Sequence, residues 1–247
     1  MYSDSIFILL ILGGAALLIL LIGLVLSILV FRTKSRAMEI IAWVCGGCWL
    51  VLDQLIIYSG DLGINGTSNY FIYPVFLIFF LLLQYRSNTA EGNNLKTLYI
   101  AKSVMILLML STLHSQVINM FLERRYIDYA DSRFTRIIPI AGSIVSIAVI
   151  TFVTFRYLVR THASVQKNEV FKNAIVFTGI TYLIADVISH LLFLLQYARH
   201  VPVGSFFNVT MLSMQLIYFL VESLLAAGIA ALIYKSKQEA GPAQIKD

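Results

Sequence analysis

Charge is scarce in this chain. Lys, Arg, Asp and Glu supply only 13% of its 247 residues, against 59% hydrophobic ones. With a mean hydropathy of +0.85, water is the wrong solvent for most of it. No polar stretch is long enough for a soluble domain. The longest loop, roughly residues 123–136, is too short to bury a core of its own. Cysteine is nearly absent, with Cys45 and Cys48 the only two. They form a C-x-x-C inside an apolar run, as in membrane thiol oxidoreductases that pass electrons to quinones. Such chemistry needs a second pair to exchange with, and zinc would need two more ligands at that depth. Small apolar Cys and Gly at this position instead suit helix packing. Only four prolines occur. Pro74 and Pro139 are expected in the first turns of their runs, where a missing N–H costs little.

What is present is a series of seven long apolar stretches, near residues 6–30, 40–58, 71–83, 98–122, 137–159, 171–197 and 206–234. A run of about 20 apolar residues crosses the roughly 30 Å hydrocarbon layer as a helix. The pattern predicts an all-α integral membrane protein, a seven-transmembrane-helix bundle over residues 1–234. Residues 235–247 form a short polar tail, expected to be disordered. The third run is short for a full crossing, though Gln84 and Tyr85 extend it to the interface. Tyr and Trp gather near run ends, as amphipathic rings do at a membrane surface. Small residues cluster in the first run (Gly13, Gly14, Ala15, Ala16, Gly23) and the last (Ala226, Ala227, Gly228, Ala230, Ala231). They let helix backbones approach closely. No inverted repeat is evident, which weakens the common transporter architectures.

The net charge of +5 does not point to nucleic acid here, because basic loops orient a membrane protein. Thirteen Lys and Arg residues fall in the odd-numbered loops and the tail, and five in the even-numbered loops. The N-terminus is therefore expected outside and the C-terminus in the cytoplasm of a plasma or inner membrane. Arg124, Arg125, Arg133 and Arg136 run against this bias. Residues 1–5 carry only Asp4 as a charge, so the first run reads as a retained span rather than a signal peptide. Asn65-Gly66-Thr67 and Asn208-Val209-Thr210 match the glycosylation acceptor pattern; the second lies close to the bilayer.

An ionisable side chain in hydrocarbon is expensive, so each one is a candidate functional group. Those within the runs are Asp53, His114, Asp186, His190 and Glu222. A helix rises 1.5 Å per residue, which places Asp53, His114, Asp186 and His190 at roughly 22, 24, 21 and 27 Å above the cytoplasmic end. Gln215, Tyr218 and Glu222 fall at roughly 27, 22 and 16 Å. They share a band in the outer half of the membrane. Tyr182, Asp186 and His190 form one helical stripe by i, i+4, i+8 spacing. Gln215, Tyr218 and Glu222 form another by i, i+3, i+7. An Asp four residues before a His can hydrogen-bond it and fix its tautomer. Three uses of this band stay open. It is a structural polar core, a cavity for a small polar ligand or proton, or a metal or haem site using His114, Asp186 and His190. No HExxH pattern accompanies the last. His162 and His200 read as solvated loop residues.

Seven helices, an external N-terminus and about 250 residues resemble the microbial rhodopsins in outline. That resemblance implies a lysine in the middle of the last helix holding retinal as a Schiff base. The run 206–234 contains no lysine, and Lys235 lies past its end, so a retinal Schiff base is not expected. No Asn-Pro-x-x-Tyr or Asp-Arg-Tyr marks an animal-type G-protein-coupled receptor. The plan is also similar to the seven-helix membrane sensor modules of bacterial signalling proteins, by architecture alone. The expectation is a sensor or receptor-like protein, not an enzyme, with an outward-facing polar cavity. Its partners are the lipid bilayer, a small polar ligand or proton, and a cytoplasmic or membrane protein. The alternatives are a proton-coupled transporter or channel, a metal- or haem-dependent membrane enzyme, and an accessory subunit of a membrane complex.

Overall fold

The computed structural model describes the backbone of residues 2–58, 72–89, 93–123, 132–161, 167–197 and 209–239. Side chains are described over 13–52, 73–89, 94–113, 140–161, 169–192, 213 and 216–238. Seven helices account for this backbone: α1 (Tyr2–Thr33), α2 (Arg36–Tyr58), α3 (Ile72–Thr89), α4 (Asn93–Glu123), α5 (Ser132–Thr161), α6 (Lys167–Tyr197) and α7 (Val209–Glu239). Helix is the form that satisfies every backbone N–H and C=O within one apolar segment. The sequon at Asn65, the sequon residue Asn208, Arg124, Arg125, His162 and His200 lie outside the described residues.

Five helices are long and apolar enough to cross a membrane, over Gly13–Thr33, Asn94–Leu113, Ile140–Thr161, Glu169–Leu192 and Leu216–Gln238. The outward sides of these helices carry large apolar groups. Leu18, Leu183, Ile217 and Leu232 are among them, Leu232 being 68% exposed. Surfaces of this kind are lipid-facing in a membrane and an aggregation hazard in water. Among the described residues, α2 and α3 offer no such stretch. In α3 the polar run from Gln84 to Thr89 leaves a short apolar part.

Two boundary expectations are corrected. The helix of the fifth run begins upstream at Ser132, so Pro139 stands in the helix interior. There it removes an N–H from the i to i−4 ladder, which a first-turn proline does not. The last helix continues through Lys235 to Glu239, so the beginning of the expected tail is helical. Residues 240–247 lie outside the described residues.

The chain divides into two compact units, Met1–Gly92 and Asn93–Asp247. In the first, α1 turns into α2 within two residues. Lys34 adopts a left-handed conformation, φ 53°, and its N–H donates to the Val30 carbonyl at 2.9 Å. That bond closes α1 as a left-handed C-terminal cap does. Ser35 then opens α2, its Oγ accepting from the Met38 N–H at 3.5 Å, in the manner of an N-cap. The core of this unit is Ala16, Leu20, Ala42, Trp49, Val75, Ile78 and Leu82. Gly46 lies under the Phe79 ring, where an added Cβ would come within 2.5 Å of it. Phe79 stacks on Trp43 with centroids 5.1 Å apart. A Cβ added at Gly23 would likewise crowd α2, coming within 2.9 Å of the Cys45 Cβ. The C-x-x-C segment is thus a packing surface for α1 and α3, with both thiols free. At the other end of α2, Arg86 of α3 pairs with the buried Glu39.

In the second unit α7 packs on α5 and α6, and α4 packs on the same two helices. Ala226, Ala227, Ala230 and Ala231 are buried, so the small residues of α7 form its contact stripe. Thr151 of α5 donates to the Ala226 carbonyl at 3.5 Å. Tyr157 stacks on Phe177 at 4.4 Å, joining α5 to α6. Buried hydroxyls bond their own helix: Ser103 to the Tyr99 carbonyl, Thr178 to Ala174 and Thr181 to Phe177. Such bonds keep polar groups satisfied without water.

Candidate functional site

The four helices of the second unit line a partly open cavity of about 310 Å³. Each helix contributes to its wall: Leu107, Leu108 and Ser111 from α4, Ser143 and Ser146 from α5, Tyr182, Asp186 and Ser189 from α6, and Tyr218, Phe219 and Glu222 from α7. The spacing explains why. Tyr182, Asp186 and Ser189 stand on one face of α6, and Tyr218, Phe219 and Glu222 on one face of α7.

Glu222 is the most buried acid among the described residues, 6% exposed. Its carboxyl faces the hydroxyls of Ser143, Tyr218 and Tyr182. The Ser143 and Tyr218 hydroxyls are also hydrogen-bonded to each other, linking α5 to α7. Tyr182 is 2% exposed. Its hydroxyl faces Glu222 but reaches hydrogen-bond geometry with no partner among the described residues. A buried hydroxyl without a partner is costly to maintain. Phe219 neighbours both tyrosines, its centroid 6.1 Å from that of Tyr182 and 6.4 Å from that of Tyr218.

Asp186 lines the cavity and engages His190. Its Oδ1 lies 3.1 Å from His190 Nδ1, and its backbone carbonyl lies 3.1 Å from the same nitrogen. Donation to either oxygen places the proton on Nδ1. His190 touches Asp186 without itself lining the cavity.

The structure therefore brings together Asp186, Tyr218 and Glu222, with His190 joined through Asp186. The side chains of Asp53, His114 and Gln215 lie outside the described residues. Asp53 is on α2, in the first unit; His114 is on α4 and Gln215 on α7, in the second. Among the described residues no three His, Cys, Asp or Glu groups gather to hold a metal. His114, one of the three expected ligands, is not among the residues so assessed.

The α5 contribution is not apparent from the ionisable residues. Gly142, Ser143 and Ser146 line the cavity, and Ser143 touches both Tyr218 and Glu222. The available signal was the i, i+3 pair of serines after a glycine in an otherwise apolar run. Neutral hydroxyls cost little in a membrane helix, because they bond their own backbone, and so do not stand out as ionisable groups do.

Chemically, two carboxyl groups and several hydroxyls share one partly apolar chamber. Among the described residues no Lys, Arg or His forms its wall. Such a chamber suits binding of a proton or a polar solute. No protein-family model matches this chain, and neither a curated protein nor a solved structure matches it.

Proposed function

We propose that this chain is a receptor-like integral membrane protein that binds a small polar ligand in the cavity between α4, α5, α6 and α7. One observation carries this reading. Glu222, buried at the chamber wall, is surrounded by hydroxyl groups from three helices. A carboxyl group kept in the interior of a lipid-embedded unit is expensive and marks a functional site by default. The ligand contacts are Asp186, Tyr218 and Glu222, with His190 orienting Asp186. His114 and Gln215, on helices of the same unit, complete the proposed set from the depth of their positions. In the proposed topology all seven helices cross the membrane, the N-terminus is outside and the chamber opens outward. The basic segments at Arg32–Arg36 and Arg156–Lys172 then face the cytoplasm, where a protein partner reads the bound state.

The test is ligand-dependent stabilisation of the purified full chain in lipid nanodiscs, screened with small polar solutes. At least one solute should raise the unfolding temperature of the native chain and leave E222Q unmoved. Equal stabilisation of E222Q by every active solute contradicts the reading.

Because Asp186 and Glu222 share one chamber, a carrier that loads a cation or proton on these carboxyl groups is the second reading. Solute flux into liposomes containing this chain alone favours the carrier. A binding signal without flux favours the receptor.

A further inference from the structure

We infer that the occupant of the cavity is a small organic cation, a primary amine carrying an apolar or aromatic body. The inference rests on the proposed ligand-binding role and adds the chemical class.

Charge comes first. The wall carries two carboxyl groups, and among the described residues no cationic side chain lines it. Asp186 already has a basic neighbour in His190. Among the described residues, the groups that face Glu222 are hydroxyls. A ligand that brings positive charge to Glu222 replaces the lost hydration of a buried carboxylate, and an anion does the reverse.

The second observation is the Tyr182 hydroxyl, buried and, among the described residues, without a partner at full hydrogen-bond geometry. It faces the same carboxyl group. An ammonium group has three N–H donors and no acceptor. Seated beside Glu222, it donates to the carboxylate and to the Tyr182 oxygen together. That satisfies the charge and the orphan hydroxyl at once. A quaternary ammonium satisfies only the charge.

The aromatic walls select the same class. Tyr182, Phe219 and Tyr218 lie next to one another around Glu222. Their ring faces attract a cation within about 6 Å of the centroid. The space is also wrong for a bare metal ion. A chamber of about 310 Å³, walled in part by Leu107, Leu108, Leu110 and Phe219, sits at the lower end of small-molecule pockets, which run from roughly 300 to 1,000 Å³. It accommodates an apolar body alongside the charged head.

Three probes of similar shape test this: 2-phenylethylamine, the neutral 2-phenylethanol and the anionic 3-phenylpropionate. Each is titrated calorimetrically into the full chain in nanodiscs. The amine should bind saturably and about tenfold or more tighter than the alcohol, with the carboxylate weakest. E222Q should lose about tenfold of the amine affinity and so narrow the amine's preference over the alcohol. Y182F keeps the ring and removes the hydroxyl. It should weaken the amine several-fold, which guards against misfolding of E222Q. Saturable binding of the alcohol or the carboxylate without preference for the amine overturns the amine assignment and leaves the ligand-binding role standing. So does amine binding unaffected in both variants. Absence of saturable binding by all three probes up to millimolar concentration overturns the amine assignment; the solute screen decides the ligand-binding role separately.

Discussion

On α6, Asp186 Oδ1 lies 3.1 Å from Nδ1 of His190, one turn further along the same helix. The contact joins an acid that lines the cavity to an imidazole that does not. It fixes the carboxyl rotamer and the tautomer together.

Replacing His190 with Ala removes that constraint and leaves the Asp186 charge. The expected cost to stability is about 1 kcal/mol, since both groups are partly exposed. The functional effect should be larger, with the solute-induced stabilisation of the native chain abolished. Thermal unfolding with and without solute separates the two. An unaltered response rejects the role given to His190.

Glu39 and Arg86 should respond unequally. The Arg86 side chain is 52% exposed and that of Glu39 only 9%. R86M strands a buried carboxylate, whereas E39Q leaves an arginine that reaches water. R86M should therefore cost about 1–3 kcal/mol and E39Q clearly less. Denaturant titration of the two variants in mild detergent checks the order.

The glycines of the C-x-x-C segment make a paired prediction. An added Cβ at Gly46 meets the Phe79 ring, while one at Gly47 meets nothing within 4 Å. G46A should destabilise the first unit by about 1–3 kcal/mol through overpacking. G47A should be neutral or slightly stabilising through helix propensity. Replacing both Cys45 and Cys48 with Ala should leave ligand-dependent stabilisation intact. Its loss on that change would contradict the packing role of these residues.

Along α7 the same logic separates two neighbours. Ala230 is buried in the contact stripe, and Leu232 points outward. A230L should cost about 1–3 kcal/mol, because backbone approach there requires a small side chain. L232A should change little in a lipid environment. Unfolding temperatures in nanodiscs compare them.

Much of the helix plan was legible because an apolar run of membrane length has one viable backbone form. Facing was legible too where polar residues recur at helical spacing, as with Tyr182 and Asp186 or Tyr218 and Glu222. Helix neighbours were not. In lipid the outer faces are as apolar as the contacts, so patterning does not declare which helix meets which. Depth along the membrane did not point to α5, which supplies the cavity wall through Ser143 and Ser146. Pro139 misled about the start of α5, because proline inside a membrane helix costs less than its general rule implies.

The central claim is a solvent-reachable chamber inside the α4–α7 unit, and cysteine labelling tests it most directly. In a chain with Cys45 and Cys48 replaced by Ala, single cysteines are placed at Ser146, which lines the cavity, and at Ile144, which is 61% exposed and faces outward. A membrane-impermeant thiol reagent, added to the outer side of oriented proteoliposomes, should modify S146C. It should leave the lipid-covered I144C unreacted. Labelling of I144C alone, or of neither, contradicts the chamber.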